Sequence, residues 1–187
     1  MERNVDMTEI SDGKRYTSND LAKLGCGDCA GCSKCCHGMG ESITLDPYDI
    51  YNLTINLKMT FNELLAESLG LSVKDMIILP HLNLKAEGEG CLFLDENGRC
   101  SIHSFRPGIC RLFPLGRIYE NESFSYFLQI NECVKQNRTK VKIKKWLGIP
   151  NLAAYENYIN TWHYFLKNMK AFLEEQDNEE MSKKINV

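Results

Sequence analysis

The longest regular pattern of apolar positions lies near the C-terminus. From residue 151 to residue 175 apolar side chains recur at steps of three and four, at Leu152, Tyr155, Ile159, Trp162, Leu166, Met169 and Leu173. That spacing places them on one face of an α-helix. The pattern therefore predicts a long amphipathic helix that packs its apolar face against the rest of the protein.

Two shorter helices are predicted in the first half of the chain. The first begins at Asp46 and Pro47, because Asp is a good N-cap and Pro fits the first helical turn. Its apolar face consists of Ile50, Leu53 and Leu57. The second helix begins with the capping-box pattern of Thr60 and Glu63 and ends at Gly70. Its apolar positions are Leu64, Leu65 and Leu69.

Extended segments follow these helices. Between residues 75 and 93 the apolar runs are short and typical of strands. The Asp-Glu-Asn-Gly turn at 95–98 lets residues 91–94 pair with residues 99–103. A second hairpin is predicted over residues 115–130, with its turn at the polar sequence Glu-Asn-Glu-Ser.

Three other segments have weaker patterns. Residues 18–25 are predicted to form a short capped helical turn that ends at glycine. Residues 104–114 are bracketed by prolines and too short for a helix of consequence, so a rigid turn is expected. Residues 139–147 are basic and compatible with a helix.

These elements predict a small α+β fold with an irregular, cysteine-rich, metal-centred domain, short hairpins, flanking helices and a long C-terminal helix. The expected organisation is a flexible arm at 1–20, a cysteine-cluster metal-binding domain at 21–137, a helical extension packed on it at 138–175 and a charged tail at 176–187. A chain of 187 residues is long enough for one domain with a sizeable core.

Composition narrows the function classes. The formal net charge is −3 with mixed signs, which gives no indication of nucleic-acid binding. Residues 1–13 contain no apolar signal-peptide core, and no run approaches the roughly 20 apolar residues of a membrane span. A cytoplasmic protein without a membrane anchor is therefore expected. In that reducing compartment, nine cysteines indicate metal ligands or redox groups rather than disulfides.

Residues 25–40 contain the highest concentration of cysteines in the chain. Five of the nine cysteines fall within eleven residues here, interleaved with glycines that allow a loop to fold back on itself. Four of the five form a Cys-x-x-Cys-x-x-Cys-Cys block: Cys29, Cys32, Cys35 and Cys36. Four more lie at the ends of short extended segments or in a tight turn: Cys91, Cys100, Cys110 and Cys133. Together these eight thiols suffice for two four-sulfur centres or one polynuclear centre.

The metal stays open between zinc and iron. Finger-type zinc sites use two spaced cysteine pairs, whereas here only the first block has such spacing. The ferredoxin run has three residues before its fourth cysteine and a proline after it, and this block has neither. Because neighbours can hardly bind one tetrahedral ion together, Cys35 and Cys36 favour more than one metal ion or two centres.

Other residues are candidates for supporting roles. Cys26 is left over as a spare ligand, a redox thiol or neither, and His37 and His103 are candidate nitrogen ligands. Arg106 and Arg111 are expected to offset the negative charge of a thiolate-bound centre and to donate hydrogen bonds near it.

Several of these motifs, in this order, resemble the YkgJ-like cysteine-cluster family, described as a zinc- or iron-chelating domain and named for its CxxCxxCC motif. The matching stretches are the block at 29–36, the Cys91 and Cys100 segments, Arg-Pro-Gly-Ile-Cys-Arg-Leu-Phe-Pro at 106–114, and Cys133. The resemblance implies that the eight cysteines are the ligands, with Cys26 outside the core motif. It weakens His103 as a ligand, because the family often has an aromatic residue there.

Two classes of function follow. The first is a metal-binding protein whose zinc or iron–sulfur centre is structural or serves a protein partner in redox chemistry. The second is an enzyme, since the same kind of domain occurs in flagellin lysine N-methylases, thought to use an iron–sulfur centre and S-adenosylmethionine. No glycine-rich strand-to-helix turn of a nucleotide fold is present, so the second rests on analogy. No motif of hydrolytic chemistry is present either.

Overall fold

A computed structural model describes residues 6–27, 32–85, 90–135 and 137–176. The helices are α1 (Met7–Ile10), α2 (Pro47–Leu57), α3 (Phe61–Glu67), α4 (Gly108–Leu112), α5 (Ile143–Leu147) and α6 (Leu152–Gln176). The strands are β1 (Leu21–Gly25), β2 (Leu69–Lys74), β3 (Ile77–Leu82), β4 (Leu115–Glu120), β5 (Ser123–Leu128) and β6 (Thr139–Lys142). This content confirms the predicted α+β class and the long C-terminal helix.

Local sequence signals set the ends of the best-predicted elements. Both α2 and α3 begin with a complete capping box, formed by Asp46 with Asp49 and by Thr60 with Glu63. The predicted second hairpin is β4 paired with β5, and its turn residues Asn121 and Glu122 both have positive φ angles. Such turn angles match the right-handed twist of paired strands.

Helix α3 ends at Glu67 rather than at the predicted Gly70, and the chain enters β2, which the sequence reasoning missed. Leu69 continues the helical spacing of the preceding leucines but is buried in the β2–β3 hairpin, where it pairs with Leu82. Gly70 has no room for a side chain there, since a Cβ would lie 2.6 Å from the imidazole Cε1 of His81.

The predicted helical turn at 18–25 is wrong, because residues 21–25 form strand β1. Its side chains alternate, with Ala22 and Leu24 buried and Leu21 exposed, as a half-buried strand requires. Its antiparallel partner is β6, so the predicted helix at 139–147 is also partly wrong. Only the second half of this predicted segment is helical, and it forms α5.

The described part of the predicted N-terminal arm lies along β5 rather than extending freely. Tyr16 exchanges two backbone hydrogen bonds of 2.9 Å with Tyr126, and Ser11 bridges to Gln129. These contacts add a short extended segment to the edge of the β4–β5 hairpin.

The described core has two apolar clusters. The first lies under β1, β4, β5 and α5, and contains Ala22, Leu24, Leu112, Leu115, Tyr126, Leu128, Ile143 and Leu147. The second lies under α2, α3 and the β2–β3 hairpin, and contains Ile43, Leu45, Leu53, Leu64, Leu69, Leu82 and Ile102. Helix α6 buries Tyr155, Ile159 and Leu173 of its predicted apolar face. No helix in these described ranges is both long and apolar enough to cross a bilayer.

Candidate metal centre

Cys35 and Cys36 lie in a single 3-10 turn, Lys34–Cys36. The amide of Cys36 closes this turn by donating a 2.8 Å hydrogen bond to the carbonyl of Ser33. The carbonyl of Cys36 then accepts a 2.8 Å hydrogen bond from the amide of Cys91. The first cysteine block is thereby joined through the backbone to a cysteine 55 positions later.

Cys91 and Cys100 flank a tight turn, as predicted, although the pairing is shorter than a regular hairpin. Cys100 forms an isolated antiparallel bridge with Leu94, and Asp95 and Arg99 are joined by a backbone hydrogen bond of 2.8 Å. Gly98 takes the left-handed φ of +68° that this turn requires. Both cysteines pack against the second apolar cluster.

Cys110 lies on α4, in the segment where a rigid turn without a significant helix was expected. The five-residue helix is held from outside, because the amide of Gly108 donates a 2.8 Å hydrogen bond to Oδ1 of Asp49 on α2. Gly108 must lack a side chain, since a Cβ would lie 2.0 Å from the hydroxyl oxygen of Tyr155. Cys110 also packs against the second apolar cluster.

Electrostatic effects show that thiols from these segments are close to one another. Burial raises the pKa of Cys110, and the charges of Asp49, Cys91, Cys100 and Cys35 raise it further. Burial likewise raises the pKa of Cys91 and of Cys100. Three separate parts of the chain therefore bring predicted ligands into one region.

The neighbouring thiols Cys35 and Cys36 behave differently from each other. The Cys36 thiol donates a hydrogen bond to the Cys35 sulfur, which lowers the pKa of Cys35 to about 6 and raises that of Cys36. The guanidinium of Arg106 adds to the lowering at Cys35. Cys35 is therefore the first thiolate expected to form in this region at neutral pH.

A second group of cysteines lines a narrow cavity on the other side of Cys35. Cys26, Cys32 and Cys133 border it together with Cys35 and the ring of Trp146. All four thiols are half-buried. Cys35 thus borders both groups, whereas Cys29, another predicted ligand, lies outside the described residues.

The two predicted supporting arginines have different partners. The Arg106 side chain donates a 2.8 Å hydrogen bond through Nη1 to the carbonyl of His103, and its charge lowers the pKa of Cys35. The Arg111 side chain donates to the carbonyls of Arg106, Ser104 and Leu147. Arg106 therefore acts on the thiols, and Arg111 ties the α4 segment to the end of α5.

Each of the two candidate histidines contacts a residue close to it in the sequence. Nδ1 of His37 lies 2.9 Å from the carbonyl oxygen of Ser33, within the same turn that carries Cys35. His103 is next to Arg106, with its ring nitrogens 2.9 and 3.0 Å from Nη1. These contacts place the His37 ring against the turn of Cys35 and the His103 ring against Arg106.

Sequence reasoning missed a buried charge network that supports this region. Asp46, predicted only as a helix N-cap, and Asp49, which was not singled out from the sequence, are both nearly inaccessible, and burial raises the pKa of each. The charge of Arg117 on β4 acts on both carboxyls in the opposite direction. The Asp-x-x-Asp pattern was a signal for the cap, but no local pattern indicates the contact with Gly108.

Comparison with known families matches residues 28–145 to the CxxCxxCC family, described as "putative zinc- or iron-chelating domain". The chain belongs to the CxxCxxCC family. The matched range contains all eight predicted ligands and excludes Cys26. The search of solved structures finds no match.

The donor set fits the metals of the CxxCxxCC family, although the thiols are not gathered around one point. In the described parts of the chain, no three Cys, His, Asp or Glu side chains are placed to hold one ion. The charges of Cys35 and Cys100 raise the pKa of Cys110, so each thiolate disfavours the next. A bound cation relieves this repulsion and binds thiolates as soft ligands.

Proposed function

We propose that this CxxCxxCC protein binds zinc or an iron–sulfur centre through the thiolates of its eight family cysteines. The observation that carries the proposal is that three separate segments meet in one region: Cys36 is joined to Cys91 by a 2.8 Å backbone hydrogen bond, and Cys91, Cys100 and Cys110 pack against the same apolar cluster. A chance set of buried cysteines has no reason to meet from so far apart in the chain. Thiol-rich sites of this kind select zinc or iron–sulfur clusters.

The ligand set divides into two groups that meet at Cys35. Cys36, Cys91, Cys100 and Cys110 lie on the side of the second apolar cluster, and Cys32 and Cys133 line the narrow cavity with Cys35. Cys29 completes the set. Because Cys35 borders both groups whereas its neighbour Cys36 belongs to one of them, more than one metal ion is the arrangement that we favour.

The centre would be structural or would carry electrons for a protein partner in the cytoplasm. As a structural centre it would tie the Lys34–Cys36 turn, the Cys91–Cys100 turn and α4 together, since no regular sheet joins these parts in the described residues. As a redox centre it would be tuned by the positive charge of Arg106 and by hydrogen bonds to sulfur. In either role the bound metal would supply the chemistry, and the protein would hold and tune it.

Anaerobic purification with metal and acid-labile sulfide analysis tests this function. One or more equivalents of zinc or iron per chain, bound tightly enough to survive gel filtration, is the expected result. Sulfide in proportion to iron, with a visible absorption that oxygen bleaches, would select the iron–sulfur form. A colourless protein with stoichiometric zinc would select the zinc form.

A matched pair of variants connects the metal to the site. Cys91→Ala should lose metal, whereas Cys26→Ala, outside the family range, should retain it. The proposed function would be overturned if the wild-type protein, shown by circular dichroism to be folded, bound neither zinc nor iron after reconstitution.

A further inference from the structure

A cavity of about 210 Å³ lies beside the cysteine region, between the end of β1 and helix α5. The lining residues come from four parts of the chain and are Gly25, Cys26, Gly27, Arg106, Val141, Lys145 and Trp146. The volume is below the roughly 300–1,000 Å³ of sites for drug-sized ligands, so the cavity suits a small molecule.

The fold builds this cavity through close pairing of β1 with β6. A Cβ on Gly25 would lie 2.1 Å from the hydroxyl oxygen of Thr139, so only glycine permits that approach. On the opposite wall the indole of Trp146 is fixed, because its Nε1 donates a 3.2 Å hydrogen bond to the carbonyl of Phe113. One wall is therefore fixed by the pairing of β1 with β6, and another by the hydrogen bond of Trp146 to a backbone carbonyl.

Among the described residues that line this cavity, the side-chain charges have a single sign. Arg106 and Lys145 are both cationic, and none of the seven lining residues is acidic. The protein as a whole is slightly acidic, so this local excess of positive charge is not a general property of its surface. Paired cationic side chains beside an aromatic and aliphatic wall are suited to a small oxyanion on a short carbon frame.

We propose that this cavity binds a small carboxylate or phosphate anion through Arg106 and Lys145. Cys26 and Trp146 border both this cavity and the cavity of Cys32, Cys35 and Cys133. The anion is therefore held next to the thiols, with Cys26 between them.

Fluorescence of Trp146 offers a direct readout. The chain has two tryptophans, and Trp162 stacks on Phe165 of α6, so the Trp162→Phe variant leaves Trp146 as the single indole. This variant is titrated with phosphate, with citrate and with acetate at ionic strength held constant by chloride. We expect a saturable change with phosphate or with a carboxylate, and the three titrations separate these classes.

Two neighbouring lysines on α5 provide matched variants. Lys145 lines the cavity, whereas Lys144 donates a 3.0 Å hydrogen bond to Oδ1 of Asn19. Lys145→Gln should weaken anion binding by up to about fivefold, the size of one exposed charge contact, and Lys144→Gln should leave it unchanged. Arg106→Gln should weaken it by about tenfold or more.

The proposal is overturned if the fluorescence change rises linearly with the concentration of every anion and does not saturate. It is also overturned if Lys144→Gln and Lys145→Gln weaken anion binding equally. Both exposed lysines can be replaced without loss of folding, so a failure of Arg106→Gln to fold does not remove the test. The measurement is made on the purified full chain at its own metal content and again after chelation. It therefore stands or falls independently of the metal that the thiols bind.

Discussion

The buried carboxyl of Asp49 accepts a 2.8 Å hydrogen bond from the amide of Gly108, a residue 59 positions later in the chain. This bond connects the first turn of α2 with the first turn of α4, which carries Cys110. Asp49 is only 5 % exposed, so the bond is shielded from water. The position of a predicted metal ligand thus depends on a carboxylate outside the cysteine motifs.

Replacing Asp49 should separate the role of the hydrogen bond from that of the charge. Asp49→Ala leaves the Gly108 amide buried without an acceptor, so we expect it to lower the free energy of unfolding by about 1–3 kcal/mol. Asp49→Asn keeps an acceptor oxygen and should cost less. Urea unfolding at matched metal content measures both variants. The exposed pair of Asp75 with Lys170 gives a control, since Asp75→Asn should change stability by less than about 1 kcal/mol.

Asp49 also predicts a pH dependence of stability. Burial and the nearby charge of Asp46 raise the pKa of Asp49 to about 7, against about 3.9 in an unfolded chain. Between these values the folded state binds more protons, so the free energy of unfolding contributed by this group falls as the pH rises from about 4 to about 7. Asp49→Asn lacks this titration, so the free energy of unfolding of wild type minus that of the variant should fall as the pH rises from about 4 to about 7. A difference that does not vary with pH would contradict the raised pKa.

The helices and hairpin with strong local signals were predictable from the sequence. The capping residues Asp46 and Thr60 mark helix starts by their own side-chain hydrogen bonds, and the turn at 121–122 joins strands that are neighbours in the chain. Strand β1 was not predictable in this way, because β6, its partner, lies more than 110 residues further along. Its five residues were too few to distinguish the alternation of a strand from the spacing of a helical turn.

The candidate metal site also combines features that follow from neighbouring residues in the sequence with features that depend on residues far apart in the chain. The chemistry of Cys35 or Cys110 as a soft ligand can be read from residue type and spacing alone. The backbone bond between Cys36 and Cys91 and the contact of Asp49 with Gly108 depend on tertiary packing. No local pattern encodes such contacts, so the sequence indicates candidate ligands but not the residues that position them.

Cys35 should be more important for metal binding than Cys26, although the two line the same narrow cavity. Cys35 borders both thiol groups, and the hydrogen bond from the Cys36 thiol lowers its pKa to about 6. Cys35→Ala should lower both metal content and the melting temperature, because binding energies of structural zinc sites reach about 10–16 kcal/mol. Cys26→Ala should retain the metal. Equal metal loading in wild type and Cys35→Ala, measured by plasma emission spectrometry, would remove Cys35 from the ligand set.

The two arginines should give separable effects. Arg106 lowers the pKa of Cys35, so Arg106→Gln should slow the reaction of the metal-free protein with a thiol reagent at pH 7 by roughly threefold. Arg111 donates to backbone carbonyls, so Arg111→Gln should leave that rate unchanged and lower the free energy of unfolding by about 1–3 kcal/mol. The same slowing in both variants would show that Arg106 acts through loop structure rather than through charge.

Arg117 is the cation that faces the buried carboxyls from β4. Its guanidinium lies 5.4 to 5.9 Å from the ring centroids of Phe124, Tyr126 and Tyr155, in an aromatic surrounding that keeps water away. Within the described part of the chain, no acceptor lies at normal hydrogen-bond distance from its Nε and Nη2 atoms. The main polar contribution of this side chain is therefore its charge, which favours the ionised forms of Asp46 and Asp49.

Arg117→Met should keep the packing of the aliphatic part of this side chain and remove the charge. At pH 8 the two carboxyls would then be buried without a counter-charge, so we expect a loss of about 3–5 kcal/mol in the free energy of unfolding. At pH 5 the carboxyls can take up protons, and the loss should shrink. Arg15→Met removes a half-exposed ion pair with Glu120 and should change stability by less than about 1 kcal/mol at either pH. If the loss in Arg117→Met were equal at pH 5 and pH 8, packing rather than charge would be the role of Arg117.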